Sequence, residues 1–366
     1  VKETAQLAAC IGREFTYTLL EAVAGKAETE LRAGLDKLAA TEIVFRRGTP
    51  PDARYTFKHA LVQDAAYQSI LRSKRQQLHA RIAETLEERF PETVAAEPEL
   101  LAHHYTGARQ VEAAVGYWQK AGERAIRRSA NVEAIEQLKR GLALLETLPD
   151  TPVRARQELP LQITLGPALM AVRGQGAPET GQSYARALEL GPQAGDTHQH
   201  FRALWGSWRY HFVRSDHPTA RNLGEQCVGL AETARDDALM LEACFALGGS
   251  LVFMGDFAAA RGPIERAIPL YDIDQHGSLR FEYGQDPGAS SLSYLGWTMW
   301  YLGFPERALE RGHKALALAE TLDHPLTRAL VLSYLAMTQV LCRDWAGVRS
   351  CAEATIALSQ EHGFPQ

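Results

Sequence analysis

The sequence predicts an all-α protein of stacked antiparallel helical hairpins behind a smaller module of three helices and a β-hairpin. Three observations carry this. Four segments share one grammar, an apolar helix, a tight turn and a helix that opens on small residues: Trp205 to Arg221, Phe245 to Arg261, Ser293 to Leu309 and Ser333 to Arg349. Their turns fall at Asp216, Asp256, Phe304 and Asp344, so the steps are 40, 48 and 40 residues, a period with one insertion. The first 75 residues follow a different pattern, ending in two short β-prone runs around Gly48-Thr49-Pro50-Pro51-Asp52.

Within the repeat, Leu247-Gly248 and Leu295-Gly296 mark the first helix, Gly255-Asp256 and Gly303-Phe304 the turn, and Ala260/Ala267 and Ala308/Ala315 the second helix. Each alanine pair is two helical turns apart, so both small side chains share a face and let helices approach closely. This pattern resembles the tetratricopeptide repeat, although the spacing exceeds the usual ~34 residues and implies longer helices. Trp208 and Ala336 replace the glycine in the outer copies, and Val348 replaces an alanine. Fainter copies precede these: Leu101-Ala102 with Ala114 and Ala121, then Ala134 with Gly141. Helices over 159–172 and 178–190, parted by Gly174-Gln175-Gly176, continue the stack. The expected fold is therefore a tetratricopeptide-like α-solenoid over 98–366, reached through a connecting helix and linker over 76–97.

Residues 1–75 read as a helix from Thr4, a Gly12-Arg13-Glu14 turn, helices from Thr16 and Glu28, then strands over 43–47 and 55–58. Three helices with a trailing hairpin point to a winged helix. From His59 one long helix is expected to reach Glu88, with His79, Ile82 and Leu86 at helical spacing.

Composition excludes several classes. Hydrophobic residues make up 46% and charged residues 23%, a globular balance. No apolar run reaches the ~18 residues of a spanning helix, and no signal peptide is recognised. A net charge of −5 provides no field for nucleic acid or anionic membranes. The five cysteines, Cys10, Cys227, Cys244, Cys342 and Cys351, form no ligand cluster and suit a reducing compartment, so a cytoplasmic location is expected. The chain starts at Val1 and ends on Gly363-Phe364-Pro365-Gln366, a turn opening onto a further element, so it reads as part of a longer protein.

Four separated motifs make the chain recognisable: 8–15 (AACIGREF), 55–67 (YTFKHALVQDAAY), 100–105 (LLAHHY) and 283–288 (YGQDPG). Together, over nearly the whole chain, they resemble the region C-terminal to the ATPase domain in bacterial STAND, AAA-like signalling ATPases, which often carry a nucleotide cyclase domain. The resemblance implies a regulatory sensor or scaffold in which repeats bind a protein, peptide or small ligand and the winged helix relays this to ATPase and cyclase domains outside the chain. A MalT-like, ATP-dependent transcription regulator is the alternative, and a stand-alone enzyme a weaker third. ATP or ADP and Mg would belong to the parent's ATPase domain. This chain has no GxxxxGK[ST], so no catalytic residue, cofactor or metal is expected in it.

The resemblance also marks His59, at the hairpin-to-helix junction, as a contact for ADP phosphate in the parent; Ala60 stands where the family motif has Asp. The alternative is a histidine packed beneath the hairpin. Arg72-Ser73-Lys74-Arg75 is followed by Glu84, Glu87 and Glu88, so nucleic-acid contact is not expected. His103-His104 lacks the spacing of a metal pair on a helix. In the tetratricopeptide register the ligand face comprises Arg202, Trp205, Arg209, Phe212, Glu242, Phe245, Phe253, Trp297, Trp300 and Tyr301, rich in residue types that dominate binding hot spots. The insertion over 272–291 should form an ordered loop beside Trp297 and Trp300.

Overall fold

A computed structural model describes residues 1–174 and 176–362. The turn expected at the last four residues, and the middle of Gly174-Gln175-Gly176, lie outside them. The chain divides into two compact units, 1–168 and 169–366.

The first unit opens with α1 (Lys2–Ile11), β1 (Glu14–Thr16), α2 (Tyr17–Ala24), α3 (Glu28–Ala40), β2 (Val44–Arg47) and β3 (Arg54–Phe57). The strands form an antiparallel sheet in the order β1-β3-β2, with Phe15 opposite Tyr55 and Val44 opposite Phe57. Period-two alternation buries Tyr55 and Phe57 and leaves Arg54 exposed. Strand β1 corrects the turn expected at Glu14: three residues with one buried side chain, Phe15, carry too little alternation to read, and pairing with β3 supplies the order. Thr16 then caps α2 through Leu19 N at 3.2 Å.

The single helix expected after His59 is two, α4 (Ala60–Gln68) and α5 (Arg72–Arg89). Between them the Ser69 hydroxyl bonds back to the Ala66 carbonyl at 2.7 Å, and Ile70 turns into the core. Next come α6 (Pro91–Ala96), α7 (Pro98–Ala108), α8 (Val111–Arg127), α9 (Asn131–Leu145) and α10 (Pro152–Arg173), whose last residues belong to the second unit. Helix α7 packs on α5 and α8, and α8 on α9. Ala114, Ala121, Ala134 and Gly141 sit in the contacts, as their spacing predicts.

The second unit contains α11 (Pro178–Ala194), α12 (Thr197–Val213), α13 (His217–Ala234), α14 (Asp237–Phe253), α15 (Phe257–Leu270), the short α16 (Ile273–His276) and α17 (Leu279–Tyr283), α18 (Pro287–Tyr301), α19 (Pro305–Thr321), α20 (Pro325–Leu341) and α21 (Trp345–His362). Consecutive long helices pack, and α12, α14, α18 and α20 also touch one another in sequence, forming one layer. Each hairpin turns on a left-handed residue, Ser215, Gly255, Gly303 or Arg343. The next N–H then bonds the carbonyl five residues back, Asp216 to His211, Asp256 to Leu251, Phe304 to Met299 and Asp344 to Gln339. Arg109 and Ser129 repeat this geometry before α8 and α9.

Small residues set the helix spacing. Ala260, Ala267, Ala308 and Ala315 are fully buried. A Cβ on Gly224 would lie 2.9 Å from the Leu247 Cα, so α13 and α14 meet backbone to backbone there. No described helix is long and apolar enough to cross a membrane.

Candidate partner-binding site

The α12-α14-α18-α20 layer is built in levels. Phe245 stacks on Tyr294 with ring centroids 5.4 Å apart and planes 6° from parallel, and Trp208 meets Phe245 edge-on at 5.7 Å. These contacts fix the register. The buried Trp208 indole donates to Ser250 Oγ at 2.9 Å. One turn toward the helix starts, Trp205 faces Glu242, a residue only 1% exposed. Burial first, then the nearby Asp286 and Glu282 charges, hold that carboxyl well above the usual carboxylate range, while the Trp205 N–H acts in the opposite sense.

At the other end of the layer Val252, Phe253, Phe257, Trp297, Tyr301, Met337 and Leu341 line a groove of about 320 Å³. Phe253, Tyr301 and Met337 are exposed at 45%, 50% and 53%. Tyr301 stacks on Phe257 at 4.0 Å, and Trp297, held by a hydrogen bond from its indole to the Tyr334 carbonyl at 3.0 Å, meets Phe253 at 6.0 Å. The apolar edge runs on through Met254, Phe304, Val340 and Trp345, all exposed. Hydrophobic side chains recurring at the same hairpin corner make one strip, and strips of this kind mark interaction surfaces.

The residues expected on the ligand face are thus distributed unevenly. Phe253, Trp297 and Tyr301 meet in the groove, with Trp300 edge-on to Tyr301 at 5.1 Å. Phe245 is buried between α12 and α18, and Phe212 bridges Trp208 and Phe253. Trp205 is buried beneath Tyr283 at 4.7 Å, Arg202 pairs with Glu282 at 3.0 Å, and Arg209 lies over the Trp205 ring at 5.9 Å. Two lining residues are absent from the expected face: Phe257 opens the second helix of its hairpin, where the aromatic after Gly255-Asp256 was the available signal, and Met337 stands seven residues before Asp344 on α20, the place Trp297 holds before Phe304. The insertion over 272–291 is ordered, yet its ring contacts are to Trp205, His324 and Tyr271, not Trp297 and Trp300. It joins α18 at its first turn, and Trp297 lies ten residues on, roughly 15 Å along the axis at ~1.5 Å per residue.

In the first unit His59 is exposed at the start of α4, its carbonyl accepting from Val62 and Gln63 N–H, and is not packed beneath the hairpin. His79 bonds Tyr67 Oη through Nε2 and His104 Nδ1 through Nδ1, each at 2.9 Å. Burial, with lesser repulsion from His103 and Arg75, pushes His79 down to about 4, and burial lowers His103 and His104 as well. No metal-holding group of His, Cys, Asp or Glu occurs among the described residues. A second cleft of about 470 Å³, between Glu87, Pro91, Tyr117 and the basic Lys120, Arg124 and Arg127, lies on α5, α6 and α8.

Left-handed hairpin corners, buried alanine pairs and a layer of first helices define a tetratricopeptide-like helical-repeat protein. Comparison with known proteins agrees at the level of fold. The chain superposes on a STAND protein with a tetratricopeptide repeat sensor from Pyrococcus horikoshii with a TM-score of 0.52, at 11% identity, covering 99% of this chain and 63% of that one. It superposes on the apo form of RapI with a TM-score of 0.56, at 11% identity, over 68% of this chain and 84% of that one. By sequence it is 24% identical over 365 residues to the uncharacterized protein R02095 of Rhizobium meliloti (strain 1021), covering 99% of this chain. The chain spans 35% of the length of that relative. No family model matches it.

Proposed function

We propose that this chain is the sensor and scaffold region of a signal-transducing ATPase, binding a protein or peptide on the α12-α14-α18-α20 layer and passing the signal to domains outside residues 1–366. The observation that carries the reading is the exposed apolar strip with its groove at Phe253, Trp297, Tyr301 and Met337, a surface without structural need for exposure. The likeness in fold to a STAND protein with a repeat sensor is in keeping with it.

The N-terminal module is proposed to be a winged helix that docks on the parent's ATPase domain. Its support is the element order helix, strand, helix, helix, strand, strand with the sheet order β1-β3-β2. His59 is exposed and so free to meet a nucleotide phosphate held elsewhere. One imidazole is no phosphate cradle, so nucleotide and Mg would be held by the parent. His59→Ala in the parent should therefore raise basal output while leaving this chain folded, by removing a contact made only in the ADP-bound form. Unchanged output and nucleotide exchange would make His59 structural.

Photo-crosslinking in the native cell tests the binding surface. A benzoylphenylalanine at Tyr301 should yield a discrete adduct, lost on Phe253→Ala, whereas the same group at Lys314 on α19 should yield none. Equal labelling from both positions, or none from Tyr301, would sink the reading.

A further inference from the structure

The cleft on α5, α6 and α8 lies wholly in the first unit and takes no part in the surface proposed above. At about 470 Å³ it has the size of a ligand site. One wall is apolar, made by Pro91, Val94, Ala95 and Pro98, with a proline in the first turn of both α6 and α7 to set the path of the chain. The floor is Tyr117, which stacks on Tyr105 at 5.6 Å; both phenols donate to the Glu87 carboxylate and so tie α7 and α8 to α5. The opposite wall is cationic. Lys120, Arg124 and Arg127 follow one another on α8 at intervals of four and three residues, so they share a face over about 10 Å of axis. None of the three forms an ion pair among the described residues, whereas Arg128, just past them, is paired with Glu133 at 3.2 Å. Glu87 has both oxygens engaged by phenols, and no other carboxylate lines the cleft among the described residues. Three cations against one carboxylate leave a local positive excess on a chain whose net charge is −5.

We infer that this cleft is a docking site for an acidic peptide segment of a partner protein, one whose carboxylate side chains alternate with apolar ones. Unpaired cations set against an apolar wall call for a ligand that is anionic along one edge and apolar along the other. Extended backbone supplies this, because successive side chains point to opposite sides and those on one side recur roughly every 7 Å. The three cations are spaced by ~6 and ~4.5 Å along α8, and their long side chains take up the difference. A lone small anion would meet one or two of the cations and leave the apolar wall in water. A nucleic-acid strand needs an open ring on which to stack, and the Tyr117 ring is taken by Tyr105 and by Lys120 at 4.5 Å. The tie of both tyrosines to Glu87 forms the floor before a partner arrives, so little ordering opposes binding. This second surface stands independently of the groove at Phe253.

The test titrates residues 1–366 against a hexapeptide of alternating Glu and Leu that carries an uncharged dye and an amidated C-terminus, read by fluorescence anisotropy. The same peptide with Gln for Glu is the reference. Exposed ion pairs each contribute a few-fold, so the acidic peptide should bind roughly tenfold more tightly at ~50 mM salt and lose most of that advantage at ~500 mM. Lys120→Glu with Arg127→Glu, at two exposed positions, should erase the preference and create one for a peptide of alternating Lys and Leu. The same change of charge at Lys37 and Arg349, exposed on α3 and α21, should leave the preference intact. Unchanged melting shows the variants folded; if the double reversal fails to fold, Lys120→Gln with Arg127→Gln decides by loss of the preference. Equal affinity for the Glu and Gln peptides, or no saturable binding of the acidic one, would overturn the site. So would a preference that survives reversal at Lys120 and Arg127, an equal loss from reversal at Lys37 and Arg349, or tighter binding of hexathymidylate.

Discussion

Glu242 and His79 are buried ionisable groups whose charges the fold suppresses, and they make opposite demands on pH. Glu242 has its pKa raised in the folded state, so the unfolded chain releases that proton more readily and stability falls as pH rises above the unfolded value of 4.5. Glu242→Gln should therefore raise the melting temperature at pH 7–8, and the gain should vanish near pH 4; equal melting at both pH values would show that Glu242 is ionised in the fold. His79 is shifted the other way, from 6.5 down to about 4, so its contribution is complete above pH 6.5 and is lost as pH falls toward 4. The loss amounts to roughly 3 kcal/mol at ~1.4 kcal/mol per pKa unit. Chemical denaturation between pH 7 and pH 4 should show it, and His79→Phe should flatten the profile. At this scale the sequence was least informative: the 25-residue separation of His79 and His104 gives no sign that their Nδ1 atoms meet at 2.9 Å.

The hairpin corner is the element on which the array depends. Gly255 and Gly303 take the left-handed conformation without steric cost, whereas Arg343 takes the same conformation with a Cβ, at φ 59°. Arg343→Gly should stabilise the last hairpin by about 0.5–1 kcal/mol, after the greater unfolded-chain entropy of glycine is deducted. A lower denaturation midpoint would mean that the arginine side chain repays its strain. In the helix interior the sign reverses. Gly224→Val would drive a side chain into the Leu247 backbone and should destabilise by several kcal/mol, in the range of overpacked cores. The corners and alanine pairs were legible because a repeated structural need leaves a repeated residue pattern. The break at Ser69 was not, because no glycine or proline marks it and burial of Ile70 decides it.

For the chain as a whole, the absence of a Gly-rich cradle and its lysine from the sequence leads to a direct expectation: residues 1–366 should bind ATP or ADP weakly or not at all by calorimetry. Submicromolar affinity would contradict it. Periodicity by itself determined the all-α hairpin array, the position of its insertion and the aromatic content of the first helices, because helix faces and turns are written in local spacing. Only the tertiary structure decided which of those aromatics are available. Trp205 and Phe245 are covered by Tyr283 and Tyr294, while Phe253 and Tyr301 remain open beside Met337. Exposure depends on neighbours one and two helices away, and a residue's place in its own helix carries no record of what the next hairpin sets against it.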